Sequence, residues 1–143
     1  MGRCAVMVVL AVALLARPAF AVGAEFVVIV AVHSPVTVLA SNEVADIYLG
    51  RLRRLPDGRT VLPVDRFESD GVQEAFYREI LQRNAAQLRA HWSRLVFTGR
   101  GKPPRQVRSD AELVEFVARN PHAIGYVAPA LVTPSVRVVR IDP

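Results

Sequence analysis

The chain has 143 residues, of which 52% are hydrophobic and 22% charged, with a formal net charge of +5. A single cysteine rules out an internal disulfide and a cysteine-based metal site. The positive charge is spread along the sequence and aromatics are not interleaved with it, which argues against nucleic-acid binding.

Met1-Gly2-Arg3 is a short basic start, and Cys4 to Ala16 is an uninterrupted apolar run broken by Arg17-Pro18. Ala19-Phe20-Ala21 then supplies small residues where a signal peptidase reads. The pattern predicts a secretory signal peptide over 1–21, cut after Ala21, with Ala24 as a second cut point and 22–143 as the mature domain. The other reading is an uncleaved anchor. It needs ~20 apolar residues; this run is shorter, and Glu25 interrupts any extension. The mature protein is therefore expected to be periplasmic or secreted and not integral to the membrane. Cys4 precedes the apolar run, unlike a lipoprotein cysteine, and leaves with the leader. Loss of Arg3 and Arg17 leaves 16 Lys+Arg against 13 Asp+Glu, about +3, and all but one of the cations are arginine. Arginine's planar fork suits carboxylates and phosphates, although a coding bias toward arginine gives the same count. The remaining ~120 residues suffice for one domain held by its core alone.

Phe26 to Val32 is a β-branched run that predicts a buried strand, ended by His33-Ser34-Pro35. Ser41 is a fit N-cap for a short helix over 42–49, with Gly50 as its stop. Residues 51–60 form a loop whose turn is Pro56-Asp57-Gly58. Val61 to Val64 is a second strand. A helix over 72–82 follows, with Val72, Phe76 and Ile80 on one face. Asn84 and Gln87 form a capping pair for another helix, whose stripe is Leu88, Trp92, Leu95 and Val96. Thr98 to Arg105 reads as a Gly/Pro loop with three cations. Ser109-Asp110-Ala111-Glu112 reads as a capping box for a helix to Arg119, stopped by Asn120-Pro121. Ala123 to Val127 and Val136 to Ile141 are strands. Alternating strands and helices predict an α/β domain of two or three layers with a mixed sheet.

The sequence between the second strand and its helix carries the best candidate site. Ser69-Asp70-Gly71 is a small polar turn opening a helix, where unpaired N–H groups and the helix dipole favour an anion. Plain N-capping produces the same pattern. Crevices in α/β sheets form at strand carboxyl ends, which is where this turn falls. Asp65, Glu68 and Asp70 cluster before the helix; the plain reading is favourable charge–dipole placement, and no paired acid suggests general-base work. The loop with Thr98, Arg100, Lys102 and Arg105 is a second candidate, since its glycines allow close backbone approach and its cations could hold an anion. His33, His91 and His122 lack metal-ligand spacing, and His91 beside Trp92 is expected at the edge of the core. There is no G-x-S-x-G elbow, no nucleophilic cysteine and no phosphate loop of the Walker type. No catalytic residues, metal or cofactor are expected, and the protein is not read as an enzyme.

Four blocks, in order, resemble the phosphate-binding-protein-like branch of the periplasmic substrate-binding proteins. They are Val27 to Pro35, Glu43 to Gly50 with its Ile47-Tyr48-Leu49-Gly50 core, Pro63 to Phe76, and Pro121 to Val127. The resemblance implies an exported α/β lobe related to ABC-transporter receptors for phosphate or another small oxyanion. It implies ligand-binding residues at Arg66, Ser69, Asp70 and Gly71, to which the loop candidates Thr98 and Arg100 are added. The blocks correspond to the later part of a two-lobed receptor; the early segment with the first anion-binding loop has no counterpart among them. The family's second loop reads Arg, two residues, then Gly-Ser-Gly-Thr. Here Asp70 stands for the serine and Val72 for the threonine, so two hydroxyl donors are lost and a carboxylate faces the anion. Two readings follow. One is a solute-binding protein taking phosphate or another oxyanion for an ABC transporter. The other is an accessory or interaction module of the cell envelope, derived from such a lobe and acting through a partner protein.

Overall fold

The computed structural model describes residues 25–55, 57–67 and 69–143. The expected leader over 1–21 and both cut points lie outside the described residues, as do Pro56 of the predicted turn and Glu68 of the acidic cluster. No helix among the described residues is long and apolar enough to cross a membrane.

The elements in order are β1 (Val27–Ala31), β2 (Val38–Ala40), α1 (Ser41–Tyr48), β3 (Leu62–Arg66), α2 (Gly71–Phe76), a π-helical turn (Tyr77–Leu81), α3 (Ala85–Phe97), β4 (Arg105–Val107), α4 (Asp110–Arg119), β5 (Ala123–Val127), a 3-10 turn (Pro129–Leu131) and β6 (Val136–Asp142). The strands form one six-stranded mixed sheet in the order β2-β6-β1-β5-β3-β4. β1 pairs antiparallel with β5 and β6, while β3 runs parallel to both β4 and β5.

Side chains alternate across the sheet, and helices cover both faces, so the domain has three layers. Val28 and Val30 of β1 and Ile124 and Tyr126 of β5 face α1, α2 and α3, joining Val44, Ile47, Tyr48, Phe76 and Trp92. Ile29, Val64, Val107, Ala123 and Val127 face α4, packing on Leu113 and Val117. β5 passes directly under α4 at Gly125, where a Cβ would come within 2.8 Å of Leu113 Cδ2 and 3.0 Å of Val117 Cγ2.

Several local expectations are corrected. Ser41 is the first residue of α1 rather than its cap; Ala40 holds the cap position, and its N–H donates to Glu43 Oε2 at 2.8 Å. The predicted helix over 72–82 is α2 followed by the π-helical turn, ended by Gln82 in the left-handed region at φ 52°. β2 and β4, three residues each, were not predicted, and β4 shortens the Gly/Pro loop at its end. On α3, Leu88 and Trp92 are buried, but Val96 is exposed, because the helix axis carries its last turn past the edge of the core. The Asn84–Gln87 pair forms both reciprocal bonds, at 2.8 and 2.9 Å. Ser109 Oγ accepts from Glu112 N at 3.1 Å, but Glu112 reaches back to Arg108 N rather than to Ser109, so the box is opened by one residue. His91 sits deeper than expected: it is buried, and Nε2–H donates to the Leu49 carbonyl at 3.0 Å.

Candidate functional site

Parallel β3 and β4 each run into a helix, so the N-termini of α2 and α4 lie side by side at the strand carboxyl ends. Arg66, the last residue of β3, fills the space between them. Its side chain is only 7% exposed. Nη1 donates to Asp70 Oδ2 at 3.1 Å and to Asp110 Oδ1, and Nη2 donates to the Tyr126 carbonyl at 3.2 Å. The guanidinium carbon lies 5.4 Å from the centre of the Tyr126 ring. Nε is buried without a partner among the described residues.

Asp70 serves two ends at once. Its Oδ1 accepts from Gln73 N at 2.8 Å and so caps α2, while Oδ2 holds Arg66. Asp110 is the first residue of α4, where a carboxylate is also favoured by the helix dipole. A buried cation is thus matched by two carboxylates, each stabilised in place by its own helix. The predicted anion position holds negative charge that belongs to the chain.

Beneath Arg66, Asp65 anchors a buried polar network. Its Oδ2 accepts from Tyr77 Oη at 2.5 Å; its Oδ1 accepts from Tyr126 Oη, from Gln73 Nε2 at 3.3 Å and from Arg66 N at 2.7 Å. Gln73 Nε2 also donates to the Arg66 carbonyl at 3.0 Å. Burial, and then the Asp65 charge, push the Tyr77 and Tyr126 hydroxyls far above the usual tyrosine range. Both remain protonated donors. Tyr48, fully buried, is raised for the same reasons and donates to the Val64 and Ile124 carbonyls at 2.9 and 3.2 Å. The Phe76 ring stacks on Tyr126 at 4.0 Å and an interplanar angle of 6°, which fixes that ring under Arg66. With both oxygens engaged, Asp65 positions Arg66 rather than offering a free base.

The other predicted residues are distributed as follows. Ser69 is exposed, and its hydroxyl lies 3.5 Å from Glu74 Oε1. Gly71 opens α2 with open space where a Cβ would stand. Both share the turn with Arg66 and Asp70. Thr98 caps the end of α3, its Oγ1 donating to the Arg94 carbonyl at 2.9 Å, and the Arg100 carbonyl accepts from Arg53 Nη2 at 3.0 Å. No hydrogen bond among the described residues joins Thr98 or Arg100 to the Arg66 cluster. Sequence reasoning missed Asp110, Asp65's role, Gln73, Tyr77 and Tyr126. For Asp110 the sequence offered only an acidic first turn after a capping serine; the strand that carries α4 to Arg66, β4, has no periodic signal. Among the described residues, no group of three or more His, Cys, Asp or Glu could hold a metal ion.

No family model matches the chain, and no curated protein sequence matches it. Solved structures do. A protein from Clostridium perfringens, solved with phosphate bound and assigned as a phosphate ABC transporter substrate-binding protein, superposes with a TM-score of 0.67 at 23% identity, over 82% of this chain and 45% of its own. The chain has the fold of a phosphate-binding-protein lobe. An ABC-type phosphate transport receptor from Vibrio cholerae gives 0.64 at 17% identity, covering 82% and 46%. PstS from Borrelia burgdorferi gives 0.61 at 14%, covering 82% and 47%. The chain spans under half the length of each of these proteins, consistent with a single lobe of them. At these identities the likeness establishes the fold, and its neighbours are binding proteins rather than enzymes.

Proposed function

We propose that this chain is an exported accessory or interaction module of the cell envelope, built on one phosphate-receptor-like lobe whose anion position is filled by its own carboxylates. The observation that carries the reading is the pairing of Arg66 with both Asp70 and Asp110. An incoming oxyanion has to displace two carboxylates that each gain from a helix N-terminus, and it meets their charge at close range. One lobe also covers only one side of a ligand, so little of it is buried. The leader pattern over 1–21 supports export, and the neighbours' place in transport supports an envelope setting. Titration calorimetry with phosphate, sulfate and acetate tests the proposal. Absence of heat at millimolar concentrations is the expected result; submillimolar phosphate binding overturns it.

A second reading, oxyanion binding for an ABC transporter, draws on two observations. Arg66 Nε is buried with no acceptor among the described residues, and the Asp70 and Asp110 side chains are 45% and 40% exposed, so solvent reaches the cluster from their side. A protonated oxyanion could donate to Asp70 and accept a hydrogen bond from Arg66 Nε–H. The same calorimetry separates the readings, with Arg66, Ser69, Asp70 and Gly71 as the ligand set and Thr98 and Arg100 outside it.

A further inference from the structure

A groove of about 600 Å³ lies on the other side of β3, bounded by the loop after α3, the segment after α1 and the start of β4. Its apolar lining includes Leu52, Trp92 and Pro103, and its polar lining includes Arg53, Lys102 and Arg105. No carboxylate lines it. None of the three cations pairs with a carboxylate among the described residues. Arg105 is drawn to the opposite face of the sheet: it pairs in register with Val64, which faces α4, and its guanidinium lies over the Phe116 ring of α4 at 4.5 Å, so Arg53 and Lys102 are the cations left to the groove.

The local sequence is as one-sided as the groove. Seven cations and no carboxylate lie between Glu79 and Asp110, so this stretch, from just before α3 to just after β4, carries a net positive charge larger than that of the whole chain. The groove is also held in shape. Arg53 Nη2 ties across to the Arg100 carbonyl at 3.0 Å. A Cβ on Gly50 would come within 2.8 Å of Trp92 Cη2, and one on Gly101 within 3.3 Å of Trp92 Cζ3, so both glycines are what let the indole seat between them. Phe97, two residues before the groove-lining Gly99, is 93% exposed, and an exposed aromatic beside a cationic cleft suits an interface. β4 is the last strand of the sheet, with one side unpaired, so an extended segment can run alongside it.

We infer that this groove docks an extended acidic segment of a partner protein, its carboxylates meeting Arg53 and Lys102 and an apolar side chain resting at the edge of Trp92. The inference rests on the accessory-module reading and names the chemistry of its partner. A concave apolar floor with a cationic rim fits a peptide better than a flat anionic membrane surface.

Trp92 is the only tryptophan in the chain and lines the groove, so a single indole reads binding there. The probe is a short peptide alternating glutamate and leucine, with glutamine–leucine and lysine–leucine peptides as controls. The expected result is a saturable change with the glutamate peptide that weakens at high salt, and none with the glutamine peptide. Lys102→Glu paired with Arg53→Glu should weaken binding of the glutamate peptide at least tenfold and gain the lysine peptide. Lys102→Glu alone keeps the test valid should the double variant misfold. Equal binding of the glutamine peptide overturns the inference, as does an unchanged response in Lys102→Glu, or a response to phosphatidylglycerol vesicles with none to the peptide. Phosphate binding at Arg66 would overturn the accessory-module reading without altering these peptide signals, so the two failures are distinguishable.

Discussion

Arg66 and Asp110, 44 residues apart, form an ion pair between the end of β3 and the first turn of α4. The pair joins the two helices that begin at the carboxyl edge of the sheet. It also leaves the most buried cation of the site with chain carboxylates as its partners, Asp70 being the second. Arg66 thereby ties the first turns of α2 and α4 to the end of β3.

Asp110→Asn should destabilise the domain by about 1–3 kcal/mol, because it strips charge from the partner of a guanidinium that stays buried. Asp70→Asn should cost less, since asparagine still caps α2. Urea denaturation of the three proteins gives the order directly. An unchanged midpoint in Asp110→Asn would show that the pair contributes nothing to stability.

The tyrosine network predicts a particular pH profile. Tyr77 and Tyr126 titrate far higher folded than unfolded, where the hydroxyl loses its proton near the ordinary value of about 10. Above that pH the unfolded chain holds fewer protons than the folded one, so stability falls as pH rises; below it this contribution is fully present. Urea midpoints should be flat between about pH 7 and 9 and drop above about 10, less steeply in Tyr77→Phe. Tyr77→Phe should itself cost about 1–3 kcal/mol at neutral pH, by removing a donor from buried Asp65. A profile as steep in the variant as in the parent contradicts this account.

Two glycines should behave oppositely. Gly125→Ala drives a methyl into Leu113 and Val117 and should cost about 1–3 kcal/mol as an overpacked core. Gly71→Ala meets open space at the head of a helix and should be neutral or stabilising by up to about 1 kcal/mol. Thermal melts of both proteins read the contrast. A destabilised Gly71→Ala would mean that the turn needs its glycine for folding.

Much of the framework was legible because it rests on local chemistry. Ala123 to Val127 is a short continuous apolar run that suits a strand buried on both faces, Asn84 and Gln87 form the reciprocal cap their spacing suggests, and Asn120-Pro121 ends α4. β2 and β4 were not legible: three-residue strands carry no periodic signal and exist because β6 and β3 offer them an edge. The turn at Ser69-Asp70-Gly71 was legible as a helix start beside Arg66. Its pairing was not, because Asp110 comes from a distant element and looks, in sequence, like one more acidic first turn. Asp65 reads, in sequence, as charge–dipole placement before a helix; only the fold brings Tyr77 and Tyr126 onto it. The cationic groove was half legible, since the loop with Lys102 and Arg105 stood out while Arg53 and Trp92 come from elsewhere.

The central claim is that carboxylates of the chain itself close the Arg66 site. Phosphate titration by calorimetry, comparing the parent protein with Asp70→Ser/Asp110→Asn, tests it most directly. The double variant removes both negative charges and restores a hydroxyl at the turn. The parent should give no heat at millimolar phosphate and the variant should bind measurably. Phosphate binding by the parent that weakens in the variant would contradict the claim, since the carboxylates would then be part of a working receptor site.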